Sequence, residues 1–154
     1  MDKNKMIIII LVIVITSLAA LIGGSLFMNS KNDEIIYNNT IDDVGTFNSV
    51  NVTNFVLANS SNDRQTDYVG NDSRAQITTT SSSSAIEVTI SEAEKVNDSA
   101  GGHTIYKNTA NIGEYKGEIR YFSILKDNDK ERYIMISTDN HNLTSMIVDS
   151  FKMF

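Results

Sequence analysis

Residues 6–28 run Met-Ile-Ile-Ile-Ile-Leu-Val-Ile-Val-Ile-Thr-Ser-Leu-Ala-Ala-Leu-Ile-Gly-Gly-Ser-Leu-Phe-Met without one charged side chain. A helix of that length covers roughly 34 Å at about 1.5 Å per residue, enough for a hydrocarbon core of about 30 Å. Its β-branched first half would favour a strand in water. In lipid the backbone must satisfy its own hydrogen bonds, so a helix is the expected state. Lys3 and Lys5 precede the run, and Lys31, Asp33 and Glu34 follow it. That basic excess predicts the N-terminus inside and the remainder outside. A cleaved signal peptide carries an apolar stretch of about 7–15 residues closed by a small-x-small site. Here Ala19-Ala20 and Gly23-Gly24-Ser25 are embedded in the run and followed by Leu26-Phe27-Met28, which favours a retained anchor over cleavage. A pilin-type leader would place a small residue before the run and a glutamate early in it; Lys5-Met6 offers neither.

The expected organisation is therefore a cytoplasmic N-terminus at 1–5, a transmembrane helix in membrane lipid at 6–28, a polar tether at 29–44, whose second half Ile35, Ile36, Tyr37 and Ile41 could bring into the sheet, and an extracytoplasmic domain at 45–154. What remains after the anchor has room for one domain with one core. The chain carries a net charge of −6, and because Asp2, Lys3 and Lys5 sum to +1, the part after the anchor carries −7. An acidic domain repels phosphate backbones, so no nucleic-acid partner is expected. With no cysteine there is no disulfide, thiolate metal site or Cys nucleophile. With no proline there is no rigid Pro-rich stalk.

The pattern within the domain predicts α+β: a small antiparallel sheet with one main C-terminal helix. Thr46 to Ala58 reads as one or two strands, with Ala75 to Thr79 a further one. The hydroxyl run Thr78 to Ser84 reads as a flexible loop or polar edge. Ile86-Glu87-Val88-Thr89-Ile90 alternates strictly and predicts a half-buried strand. A helical turn is expected over Ser91 to Val96, a turn at Ala100-Gly101-Gly102 and a short strand from His103 to Tyr106. Glu118 to Lys126 and Glu131 to Thr138 flank Asp127-Asn128-Asp129-Lys130 and predict a hairpin. With Asn128-Asp129 as its two loop residues, Lys126 faces Glu131, Ile124 faces Tyr133 and Phe122 faces Met135. Apolar residues on both faces place this hairpin centrally in the sheet. Asn142 is a candidate cap for a helix whose apolar stripe is Leu143, Met146, Ile147, Ser150, Phe151 and Phe154. Lys152-Met153-Phe154 could instead form a final short strand.

No catalytic, cofactor-binding or metal-ligating residue stands out. Asp127 to Glu131 lacks the oxygen count and the turn glycine of a calcium loop. It reads as a solvated hairpin tip, and Asp42-Asp43 as polar tether. His103 and His141 have no metal-ligand spacing. No G-x-S-x-G elbow supports a serine hydrolase, and Gly101-Gly102 and Gly113 to Gly117 match no phosphate loop. Tyr106, Tyr115, Tyr121 and Tyr133 read as core tyrosines rather than a binding face. Six sequons are candidate N-glycosylation sites, at Asn38, Asn51, Asn59, Asn71, Asn97 and Asn142.

The Met-Asp-Lys-Asn-Lys start, the Ile-rich span and the Asn/Ser/Thr-rich acidic domain ending in Leu143-Thr-Ser-Met-Ile-Val-Asp-Ser-Phe-Lys152 resemble the small, uncharacterised membrane-anchored proteins of low-GC methanogenic archaea. The resemblance implies an extracytoplasmic domain and carries no catalytic motif. The expected function is non-enzymatic: a membrane-anchored surface domain that binds an envelope polymer or a partner ectodomain. The alternatives are an accessory subunit of a membrane complex, with Ala19-Ala20 and Gly23-Gly24 permitting close helix approach, and a small extracytoplasmic hydrolase.

Overall fold

The computed structural model describes residues 34–154 apart from 63, 73 and 112–114. The expected anchor, the cytoplasmic terminus and the first part of the tether lie outside the described residues. Among the described residues no helix is long and apolar enough to cross a membrane.

Residues 35–154 form one compact unit, in which the described residues make ten strands and two helices. The strands are β1 (Ile36–Ile41), β2 (Gly45–Val50), β3 (Val56–Asn62), β4 (Gln65–Val69), β5 (Ala75–Thr80), β6 (Glu94–Asp98), β7 (Thr104–Thr109), β8 (Ile119–Asp127), β9 (Arg132–Thr138) and β10 (Lys152–Met153). Helix α1 is Ser83–Ser91, between β5 and β6, and α2 is His141–Ser150, between β9 and β10. The class is α+β with antiparallel pairing throughout, but the strands divide into two sheets. One has the order β1-β2-β10, the other β3-β4-β5-β9-β8-β7-β6.

The folded unit begins ten residues earlier than Gly45. β1 pairs with β2 from Ile36↔Val50 to Ile41↔Gly45, so the second half of the expected tether is sheet. Its turn places Asp43 at φ 65, with the Val44 N–H bonded to the Ile41 carbonyl at 3.0 Å. Gly45 is required by close approach: a Cβ there would collide with the Lys152 carbonyl of β10.

Three further expectations are overturned. Residues 86–90 are not a strand but the body of α1. β5 and β6 run in the same direction at positions three and seven of the large sheet, and a chain joining like-directed strands needs a crossover, normally helical. Ser82 caps that helix by accepting the Ala85 N–H at 3.2 Å. The first three residues of the hydroxyl run are likewise neither loop nor edge, and Ser81-Ser82 alone connect β5 to α1. Thr78, Thr79 and Thr80 are buried in β5, between β4 and β9, and the segment expected as a helical turn contains β6.

The hairpin β8–β9 is central, as its two-sided apolar pattern predicted. Its register differs by two residues from the expectation: Lys126 pairs with Tyr133, Ile124 with Met135 and Phe122 with Ser137. A two-residue shift preserves the faces. The loop is four residues long because Asp127 organises it. Its carboxylate accepts the Lys130 N–H at 3.3 Å and Arg132 Nε at 3.0 Å, and Glu131 takes φ 49. Nor is the tip merely solvated, or Asp42-Asp43 merely tether. Lys130 Nζ binds the Asp43 carbonyl at 2.8 Å, and Arg132 donates to that same carbonyl.

Helix α2 is capped by Asn140 rather than Asn142. The Asn140 side chain accepts the N–H groups of Asn142 at 2.9 Å and Leu143 at 3.2 Å. The helix buries Leu143, Thr144, Ile147 and Val148, and β10 follows it. The core lies between one face of the large sheet (Ala75, Ile77, Ile105, Leu125, Ile134, Ile136), α2, and Ile41, Val44, Phe47 and Val52. Phe47 stacks on Phe151 at 5.5 Å and meets Phe55 edge-on at 5.0 Å.

Candidate functional site

Alternation along the strands sends every second residue to the other face of the large sheet. That face carries Gln65 on β4, Gln76, Thr78 and Thr80 on β5, Met135 and Ser137 on β9, Arg120 and Phe122 on β8, and Asn108 on β7. Helix α1 lies over it and roofs a half-open cavity of about 590 Å3, to which it contributes Ala85, Ile86, Val88 and Thr89, with Glu92 at its C-terminal cap. This volume falls in the range of small-molecule sites.

Arg120 is the dominant group. It sits on a central strand and is only 4% exposed. Nε donates to Ser137 Oγ at 3.3 Å and Nη2 to the Ser137 carbonyl at 3.1 Å. The Tyr115 ring lies 4.2 Å from the guanidinium carbon, a cation–π arrangement. Glu118 is 3.9 Å from Nη1 and largely exposed, too far for a hydrogen bond. Burial pulls the Arg120 guanidinium below its ordinary value, while Tyr115, Asp139 and Glu118 oppose that. An arginine nonetheless stays charged at any physiological pH. Phe122, beside it, stacks on Tyr106 at 5.3 Å.

The amide and hydroxyl groups are held by a network on the same face. Thr78 Oγ1 donates to Asp67 at 2.6 Å and accepts from Gln76 Nε2 at 3.3 Å. Gln65 Nε2 also reaches the Asp67 carboxylate at 3.3 Å. The cavity is thus wet in character on the β4–β5 side and aromatic on the β8 side.

The residues singled out in the sequence are scattered. His141 Nε2 contacts Asn97 Oδ1 at 2.6 Å, and its ring meets Tyr121 edge-on at 5.9 Å. His103 offers its backbone N–H to Ser99 Oγ at 3.1 Å, while Ser99 donates directly to Asp149, so no imidazole stands between that serine and that carboxylate. Among the described residues no group of three His, Cys, Asp or Glu could hold a metal. Of the four tyrosines, Tyr115 lines the cavity. Sequence reasoning missed Arg120, although a lone arginine inside Ile119-Arg120-Tyr121-Phe122, on a strand apolar on both faces, was the available signal.

The sequon residues differ in freedom. Asn38 and Thr40 are both exposed, on the same face of edge strand β1. Asn51 accepts the Ile35 N–H at 3.1 Å, and Asn71 the Thr53 N–H at 3.3 Å. Asn97 is engaged with His141, and its sequon hydroxyl, Ser99, is buried. Asn142 is the second residue of α2, and its sequon hydroxyl, Thr144, is buried against Thr138 Oγ1 at 2.9 Å. Asn59 lies on β3.

No family model matches the chain, and neither a curated protein nor a solved structure does.

Proposed function

We propose that this protein is a single-pass, membrane-anchored surface domain, held N-inside by residues 6–28, that acts by binding a polar ligand outside the cytoplasm without turning it over. The uncharged apolar run and its basic flank support the anchor. The whole-chain likeness in style to the small anchored proteins of methanogenic archaea agrees with it. The observation that carries the binding reading is the cavity under α1, with a buried cation at its wall and amides and hydroxyls around it. Its ionisable lining residues are Glu92, Tyr115 and Arg120. Such a set can hold charge and read hydroxyls.

Two measurements test this. Protease treatment of intact cells should digest residues 35–154, and their protection would overturn the display. Full-length protein in mild detergent should be stabilised saturably by a small polar ligand from a panel of neutral and acidic sugars. Thr89→Phe, which fills the cavity from the helix side, should abolish that stabilisation. A panel without any saturable response would overturn the binding reading.

A second reading, accessory subunit of a membrane complex, draws on edge strand β3. There Val56 and Leu57 are each 60% exposed beside unpaired backbone groups. Co-purification of a partner, lost on Gly23→Leu with Gly24→Leu, would favour it.

A further inference from the structure

The guanidinium of Arg120 presents five N–H donors. Ser137 takes two of them, through its hydroxyl and its carbonyl, and both acceptors are neutral. Among the described residues no carboxylate lies within hydrogen-bonding distance of it; Glu118, at 3.9 Å, is 56% exposed and faces water. A charge that is 96% buried, with neutral hydrogen-bond acceptors and only a loose, half-exposed ion pair to Glu118, is incompletely compensated, and an anion in the cavity would offset its desolvation. The rest of that wall is built to meet a ligand. Gln65, Gln76, Asn108 and Asn111 supply amides that both donate and accept, and Thr80 and Thr89 supply hydroxyls. The amides Gln65 and Gln76 are oriented by Asp67 and Thr78, so their placement does not depend on the ligand.

We propose that the ligand of this cavity is a small hydroxylated monocarboxylate of the hexuronic-acid kind, its carboxylate on Arg120 and its hydroxyls on the surrounding amides. The proposal rests on the binding reading above and names what is bound. The planar fork of arginine matches a carboxylate with two parallel hydrogen bonds. One cation balances one negative charge. A phosphate ester would bring a second negative charge into a cavity whose lining also includes Glu92 and has no second cation. The same chemistry occurs in the free acid and in an acidic wall polysaccharide.

The test is calorimetric titration of the full-length protein in detergent with glucuronate, glucose, inorganic phosphate and a glucuronate-containing oligosaccharide. Glucuronate should bind saturably, with glucose and phosphate at least tenfold weaker. Arg120→Gln should lose tenfold or more in glucuronate affinity. Arg120→Lys, which keeps the charge but not the fork, should fall between it and the parent. Because Arg120→Gln could fail to fold, Thr89→Phe is the independent variant: it should abolish glucuronate binding while circular dichroism stays that of the parent. Tighter binding of the oligosaccharide than of the monosaccharide upholds the proposal with a polymer as source, and equal binding upholds it with the free acid. Equal affinity for glucose and glucuronate, or tighter phosphate binding, overturns the carboxylate while leaving a binding cavity. Unaltered glucuronate affinity in a folded Arg120→Gln also overturns it. Absence of binding by every probe overturns both the ligand class and the binding reading.

Discussion

The two faces of the seven-stranded sheet are made from alternate residues of the same strands, and they hold opposite chemistry. Facing α2, β5 offers Ala75 and Ile77 and β9 offers Ile134 and Ile136, each with no exposed surface. Facing α1, the same strands offer Gln76, Thr78 and Thr80, and Met135 and Ser137. The helices follow suit. α2 buries four side chains, while α1 buries Ile86 alone and leaves Val88 56% exposed. One face closes into a packed core. The other stays open because α1 bridges it without filling it, and a crossover helix serves there as a roof. On the binding reading proposed above, stability and binding fall on opposite sides of one sheet.

The largest effect that could break this division lies on the packed side. Ile147 on α2 is fully buried in the core. Ile147→Ala should cost about 3–4 kcal/mol, the lost transfer free energy plus a cavity that rigid neighbours cannot close. Urea unfolding measures it. A cost under about 1 kcal/mol would mean that the α2 face is not the stability core.

On the other side, Ile86→Ala removes the only buried side chain of α1. The expected cost is about 2 kcal/mol, at the low end for such a truncation, because the space created adjoins a polar cavity that water can enter. If Ile86→Ala equalled Ile147→Ala, α1 would be a core helix and the cavity a packing defect.

The caps sharpen the comparison at smaller scale. Asn140 satisfies two N–H groups of α2, whereas Ser82 satisfies one of α1. Asn140→Ala should therefore cost about 1–1.5 kcal/mol and Ser82→Ala about 0.5–1 kcal/mol. Thermal unfolding of the two variants separates them. A larger loss at Ser82 would show that the crossover helix depends on its own ends more than the core helix does.

Legibility in the sequence follows the same division. The hairpin β8–β9 and helix α2 were readable because both meet the packed core, where burial imposes period two on strands and period 3.6 on a helix. β10 was legible as an alternative for the last residues. Helix α1 was misread because it meets a cavity. Only Ile86 must be buried, so nothing forced a helical stripe, and the alternation of Ile86, Val88 and Ile90 mimicked a strand. The threonines of β5 were misread for the related reason that a strand facing a polar cavity on one side carries hydroxyls there, and Thr78-Thr79-Thr80 puts a hydroxyl on the core side too. Asn142 was chosen as cap because it stands next to the apolar stripe; two residues upstream, Asn140 reaches two N–H groups. Of the candidate site, the sequence marks Tyr115 only as a core tyrosine and does not single out Arg120. A single arginine acquires meaning only when its neighbours across the sheet are known, and Ser137 and Asn108 are distant in sequence from it.

The smallest expected effect belongs to neither face but to the contact that joins the β1–β2 turn to the β8–β9 tip. The hydrogen bond from Lys130 and its charge lower the Asp43 carboxyl, desolvation opposes them, and the charge and hydrogen bond of Arg132 add smaller lowering contributions. A carboxyl lowered on folding contributes stability above its unfolded value of about 3.9 and loses it as pH falls through the lower folded value. Asp43 is exposed and the pairing is screened by salt, so the contribution is small. Asp43→Asn removes the charge while keeping a residue that tolerates the positive φ of this turn. The parent should be slightly more stable than Asp43→Asn at pH 6 in low salt, and the difference should shrink towards zero below pH about 3.9 and in high salt. No difference at pH 6 in low salt would assign the contact to the Asp43 carbonyl, which Lys130 and Arg132 also bind and which Asp43→Asn would retain, and not to its charge.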